Sequence, residues 1–460
     1  MPVTLKNAYQ GAVRCEYAVR GRVVARAMEA EAAGKKVVYC NIGNPQSFNQ
    51  KPLTFARQVL ALCAYPALMG SDLFPRDAKA RASRYMDGMA GRSSGSYTHS
   101  AGIRQIREDV AAFITKRDKG APCNVDDLFL TDGAGPGAQM LVRLLIRGPE
   151  DGMMVPVPRY PLYSALLDLV NGTRVDYFLD EANGWQFSRE ELEKSYAEAR
   201  KKGINVRALV VVNPGNPTGQ VMSKESQKGI VEFCATHDIV LIADEVYQEN
   251  IWAPHRSFTS FKSVAHEMNK KLEIASLHSV SKGFFGECGR RGGYVEMSGF
   301  SQEVKDILYK MASVNLCSNV DGQVTVGVMC NPPIPGEESY ELFNQERTEI
   351  LESLRRRATI VGKALSGEGL ECVVPEGALY AFPRVFLPPA FVQKYKANPD
   401  EAYCLELLDK TGVVVVPGAG FGQVEGTFHF RTTLLPPEKD LPDILGKVVD
   451  FHRDLLRRYA

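Results

Sequence analysis

The chain predicts an open α/β fold: a mostly parallel central sheet with helices on both faces, followed by a smaller α+β unit. Three observations carry this. Between about residues 100 and 300, apolar runs rich in β-branched residues alternate with stretches of helical periodicity. The runs VRALVVV (206–212) and IVLIA (239–243) are near-continuous in Val, Ile, Leu and Ala, as strands buried on both faces require. A proline cluster, NPPIPGEES at 331–339, then ends the alternation. At 460 residues the chain also exceeds what one compact core holds, so two or three domains are expected.

In chain order, residues 1 to about 50 read as an N-terminal helix and the short strand VVYCNI. Residues 53–66 and 75–89 carry helical periodicity. Then come the helix AGIRQIREDVAAFITKRD, the strand DLFLT, a helix from Gly135, the strand MMVPVP and a helix near 161–170. The strand VDYFL, a helix near 188–202, and the strands VRALVVV, IVLIA and LEIASLH follow. Beyond the proline cluster a long charged helix, about 337–366, leads into the C-terminal unit.

Composition narrows the function classes. There are 55 Lys and Arg against 54 Asp and Glu, a net charge of +1, so no basic excess exists for a nucleic-acid partner. No apolar run approaches the roughly 20 residues that span a bilayer. The ten cysteines are scattered without a C-x-x-C pair, which fits a reduced interior and neither a disulfide frame nor a zinc site. Cys288 reads as a small residue in a tight turn. The N-terminus has no apolar signal core. Its arginines (Arg14, Arg20, Arg22, Arg26) are interleaved with Glu16, Glu29 and Glu31, so a cytoplasmic location is expected, with mitochondrial targeting left open.

Three strand ends carry the chemistry. VRALVVV stops at NPGNPTG, which holds Asn216; IVLIA stops at Asp244, with Tyr247 three residues on; LEIASLH leads to Ser279, Ser281 and Lys282, with Arg290 eight residues after the lysine. Open α/β sheets bind ligands at the carboxyl ends of their strands. A lone S-x-S-K is a solvated lysine in a glycine-rich turn; three converging strand ends outweigh that reading. Gly133-Ala134-Gly135 closes DLFLTD and opens a helix, so its amides and the helix dipole face an anion. In TFHFRTT, strand alternation puts His429 and Arg431 on one face and Phe428 and Phe430 on the other.

NPGNPTG, ADEVYQ and HSVSKGFFGECGRRGGY together resemble the fold-type I pyridoxal-phosphate aminotransferases, class I and II, and within them the alanine aminotransferase subgroup. EYAVRGRVVARA, NIGNPQSFNQKPLTFARQVLALC, PVPRYPLYSALL and VVVVPGAGFGQVEGTFHFRTTLLPP extend the likeness, in the same order, from about residue 14 to the end. The resemblance implies an N-terminal arm and part of the small domain over 1–60, a large cofactor-binding domain over 61–335, and a C-terminal small domain over 336–460. It implies pyridoxal 5'-phosphate as cofactor. Lys282 would tether it and move protons, Asp244 would keep its pyridine nitrogen protonated, and Tyr247 and Asn216 would bond its phenolic oxygen. Tyr160 would stack on the ring. Ala134, Gly135, Ser279 and Arg290 would cradle its phosphate, the spacing from the lysine favouring Arg290 over Arg291. Tyr97 would reach the phosphate of a partner subunit, which makes a homodimer the expected assembly. Arg431, with Asn216 and the amide side of Gly43, would capture the substrate carboxylate. Glu245 points away and reads as structural.

Two departures stand out. Phe284 and Phe285 are bulky where many aminotransferases carry small residues, and Gly135 stands where the alanine-type subgroup usually has a serine. The implied reaction is reversible, ping-pong transfer of the amino group from L-alanine to 2-oxoglutarate, giving pyruvate and L-glutamate. A glyoxylate-using aminotransferase, or a lyase or aminocyclopropane-type synthase on the same scaffold, stays open. A nicotinamide enzyme fails: GAGPGA fits G-x-G-x-x-A, but the next strand ends in PVPRYP without the required acid. A cofactor-sensing regulator lacks its added DNA-binding module. No metal ligand set is expected.

Overall fold

The computed structural model describes residues 2–15 and 21–460; residues 16–20, most of the EYAVRG stretch, lie outside the described residues. Fourteen strands are described. After β1 (Val38–Tyr39) come β2 (Leu128–Thr131), β3 (Asp151–Val157), β4 (Thr173–Phe178) and β5 (Asn205–Val212). Next are β6 (Val240–Asp244), β7 (Ile274–Ser279) and β8 (Gly293–Ser298). β2 to β8 form one seven-stranded sheet in the order β2-β8-β7-β6-β5-β3-β4. β8 runs antiparallel to both neighbours; the other pairs are parallel.

Period-two alternation explains why these runs are apolar throughout. Leu209, Val211, Leu241 and Ala243 feed a core on one face with Ile230 and Phe233 of helix Lys224–His237. Ala208, Val210, Val212 and Ile242 feed the opposite core with Leu141 and Tyr163. Register then aligns the strand ends. Val212 pairs with Asp244, and Asp244 with Leu277, so NPGNPTG, Asp244 and the Ser279–Lys282 turn emerge along one edge.

The C-terminal part carries β9 (Leu370–Glu371), β10 (Tyr380–Ala381), β11 (Arg384–Val385), β12 (Val413–Val414), β13 (Val416–Pro417) and β14 (Phe430–Thr433). β14 lies between β10 and β13, antiparallel to both, and β1 pairs with β12. Val23, Ala27 and Cys40 share one core with Leu354 and Val361 of the long helix Tyr340–Ala364, and with Leu407 and Phe451. The N-terminal segment is thus built into the small unit. A boundary at residue 60, however, falls inside helix Thr54–Ala64, whose buried Phe55, Val59 and Leu60 pack with the large unit.

Among the described residues no helix is long and apolar enough to cross a membrane. None of the cysteines is in a disulfide, and no cluster of His, Cys, Asp and Glu among the described residues could hold a metal ion.

Candidate active site

The ends of β5, β6 and β7 open into a cavity of about 360 Å³ that the N-terminal Ile42–Gly43–Asn44 turn and Tyr380 of β10 close from the small unit. Lys282 lies one turn past β7, and its Nζ donates to the Gly43 carbonyl at 2.7 Å. Gly43 thus presents its carbonyl to the lysine.

Asp244 sits on the cavity floor at the end of β6. Its Oδ2 accepts the Tyr163 hydroxyl at 2.8 Å. Burial raises this carboxyl from its ordinary 3.8 to about 6, against the lowering effect of Tyr163, the Val246 amide and the Lys282 charge. A buried carboxylate so placed calls for a cationic partner in the cavity. Glu245, the next residue, faces the other way and accepts the Phe261 amide at 2.9 Å. Tyr247 is buried, its ring 5.9 Å from Lys282 Nζ and edge-on to Tyr380 at 6.1 Å. Asn216 and Tyr160 complete the wall.

The opposite end suits an anion. Gly133, with φ +92 and ψ 173, ends the β2 turn and lets helix Ala134–Leu145 begin against the cavity, with Ala134 and Gly135 in its wall. A Cβ on Gly135 would meet nothing within 4 Å, so that side is open and offers backbone only. Ser279 Oγ accepts the Ser281 amide at 3.0 Å and donates to the Gly292 carbonyl at 3.2 Å.

The guanidinium here belongs to Arg291, and this corrects the Arg290 expectation. Arg291 adopts a left-handed φ of +53, lines the cavity, and donates from Nη2 to the Asp132 carbonyl at 2.8 Å. Arg290 turns out of the cavity toward Asp321 (3.6 Å) and Glu287 (4.0 Å). The short 3₁₀ turn Cys288–Arg290 and the left-handed residue after it shift the inward-facing position by one.

Arg431 lies on β14, 1% exposed, with Nη1 donating to Asn216 Oδ1 at 3.0 Å and Nη2 to the Asn41 carbonyl at 2.5 Å. Its buried Nε has no partner, the kind of vacancy in a hydrogen-bond set that a carboxylate oxygen fills. Tyr97 lies outside the cavity, 74% exposed.

Sequence reasoning gives no site role to Tyr163, Tyr380 or Cys288: Tyr380 and Cys288 line the cavity, the Cys288 thiol 3.1 Å from the Ser281 carbonyl, and Tyr163 bonds Asp244. Together the lysine amine, the buried carboxylate, the phenols and the anion cradle suit a planar heteroaromatic aldehyde that bears a phosphate and carries a proton on its ring nitrogen.

Comparison with known proteins agrees in family. The family model described as aminotransferase class I and II matches residues 57–447. All of this chain aligns, at 48% identity, with 88% of "Alanine aminotransferase 1, mitochondrial" of Arabidopsis thaliana. The Arabidopsis "Glutamate--glyoxylate aminotransferase 1" is 46% identical over 97% of this chain and 95% of its own length. The solved structure of an alanine aminotransferase from Pyrococcus furiosus superposes with a TM-score of 0.80, covering 97% of this chain and 100% of that one, at 24% identity; that likeness establishes the fold.

Proposed function

The chain belongs to the class I and II aminotransferase family, and from that premise we propose that it is an alanine aminotransferase that uses pyridoxal 5'-phosphate. The amino group passes from L-alanine to 2-oxoglutarate in two half-reactions that share one site, giving pyruvate and L-glutamate. Identity of 48% across the entire chain to an enzyme named for that activity is the observation that carries the reading.

When bound, pyridoxal phosphate supplies an aldehyde that holds the amino group and a protonated ring that draws off the electrons left at Cα. The residues of this chain supply the rest. Lys282, whose amine lies against the Gly43 carbonyl, would hold the aldehyde and would move the proton at substrate Cα. Asp244, held in place by Tyr163, would keep its charge by pairing with the protonated ring nitrogen. Tyr247 and Asn216, in the cavity wall, would bond the ring oxygen, and Tyr160 would cover the ring. Arg291, Ser279 and the Ala134–Gly135 helix terminus hold the phosphate. Arg431 takes the substrate α-carboxylate through its open Nε, oriented by Asn216. The small domain, taken as the N-terminal segment plus residues 336–460, brings Arg431 and Gly43 to the large domain. Tyr97 reaches a partner's phosphate in a homodimer. A cytoplasmic location is our reading for this chain, and cell fractionation against mitochondrial markers tests it.

Glyoxylate is the competing acceptor, favoured by the 46% identity to the glutamate–glyoxylate enzyme. Purified holoenzyme is to be assayed for pyruvate formed from L-alanine, with 2-oxoglutarate or glyoxylate as acceptor. The proposal expects turnover with 2-oxoglutarate in the ordinary enzymatic range, about 1 to 10³ per second. No pyruvate with 2-oxoglutarate would overturn it, and kcat/KM more than tenfold higher with glyoxylate would transfer the assignment to that acceptor.

A further inference from the structure

Arg431 is almost wholly buried and does not reach the cavity wall; Tyr380 covers it, ring centroid 4.1 Å from the guanidinium carbon, and is itself part of that wall. Two of the three guanidinium nitrogens are already engaged, Nη1 by Asn216 and Nη2 by the Asn41 carbonyl, and the third, Nε, is open. A carboxylate approaching from the cavity therefore meets Tyr380 as well as Arg431. The Tyr380 hydroxyl lies against the place a Cβ on Gly43 would occupy, and the same place is 3.1 Å from Lys282 Nζ. The hydroxyl thus enters the cavity beside the lysine amine, and only a residue without a side chain at 43 leaves it there.

We infer that Tyr380 is a substrate-carboxylate residue: its ring fixes the plane of Arg431, and its hydroxyl donates to the carboxylate that Arg431 Nε receives. The inference deepens the aminotransferase reading and rests on it. The electrostatics agree. Burial would raise the Tyr380 hydroxyl, but the Lys282 and Arg431 cations, together with a hydrogen bond from Tyr247, hold the group below its ordinary value, which strengthens it as a donor.

Tyr380→Phe retains the ring over Arg431 and removes only the hydroxyl. Propionate, an unreactive monocarboxylate with alanine's carbon skeleton, is to be titrated into the holoenzyme by calorimetry, alongside steady-state kinetics. The expected result is about tenfold weaker propionate binding and a similar rise in KM for L-alanine and pyruvate, as for a lost hydrogen bond to a charged group. The loss falls on KM more than on kcat, and pyridoxal phosphate affinity is retained. Propionate affinity and KM within twofold of the unsubstituted enzyme would overturn the inference, as would a loss confined to kcat. Tyr380→Leu, which also removes the ring, is expected to weaken propionate further; equal weakening by both variants assigns the effect to the hydroxyl alone and overturns the role given to the ring. If the unsubstituted enzyme forms no pyruvate while Tyr380→Phe still loses propionate affinity, the alanine reading fails and the carboxylate role stands.

Discussion

Arg290 and Arg291 differ by one position and by everything their side chains touch. Arg291 lies in the cavity against the Asp132 carbonyl, whereas Arg290 pairs with Glu287 and Asp321 at its side. Arg291→Ala is expected to weaken pyridoxal phosphate binding by about 10- to 100-fold, the loss of charge-assisted bonds to a phosphate, with Arg290→Ala within threefold of the parent. Equilibrium dialysis of the cofactor separates the two, and the reverse order would restore Arg290. Asp244 makes a pH-dependent prediction. Its carboxyl is raised to about 6 in the cofactor-free fold, against 3.8 unfolded. Well below 3.8 it is protonated in both states and costs nothing; as pH rises from 3.8 to about 6 stability is lost, about 3 kcal/mol in all. Cofactor-free Asp244→Asn should therefore resist denaturant better than its parent at pH 8, with the gap closing toward pH 4. An unchanged or lowered midpoint at pH 8 would contradict the buried charge. The residues that sequence reasoning passed over are instructive. Tyr163 sits in PLYSALLDLV, where an apolar helix hides one hydroxyl that bonds Asp244. Tyr380 occupies a two-residue strand with no periodicity to announce it.

At the scale of elements, the carboxyl ends of β5, β6 and β7 do the positioning. Asn216, Asp244 and Lys282 were legible because each follows a continuous apolar run, and parallel register leaves such runs ending side by side. The Arg290–Arg291 choice was not legible, because counting from the lysine assumes a regular backbone where a 3₁₀ turn and a left-handed residue intervene. Gly133 shows how tightly the anion end is built. Its φ of +92 with ψ of 173 is a glycine conformation, and a Cβ there would come within 2.6 Å of Arg291 Nη2. Gly133→Ala should cost about 1 to 3 kcal/mol of stability and push Arg291 aside. Calorimetric melting with and without cofactor would register this as a lower melting temperature and a smaller stabilisation by cofactor. An unchanged cofactor response would mean that the helix terminus and Arg291 do not share a ligand.

At the scale of the molecule, the site is assembled from distant parts of the chain: Arg431 of β14 bonds Asn216 after β5, and Gly43 receives Lys282. The packing of the N-terminal segment with the C-terminal core makes this possible, and no local pattern near residue 40 reveals it, since pairing with β12 and the Thr433 amide's bond to the Cys40 carbonyl bring the segment there. In the homodimer proposed above, Tyr97, which is exposed on the single chain, would reach the phosphate site of the second copy. A solution mass of twice the 50.7 kDa chain is expected by sedimentation, and Tyr97→Phe should weaken cofactor binding several-fold without dissociating the dimer. A stable, fully cofactor-loaded monomer would contradict that contact. The most direct test is borohydride reduction of the holoenzyme, proteolysis, and mass mapping of the pyridoxyl group. The expected result is a single modified peptide carrying the group on Lys282; a group mapped to any other lysine would contradict the site.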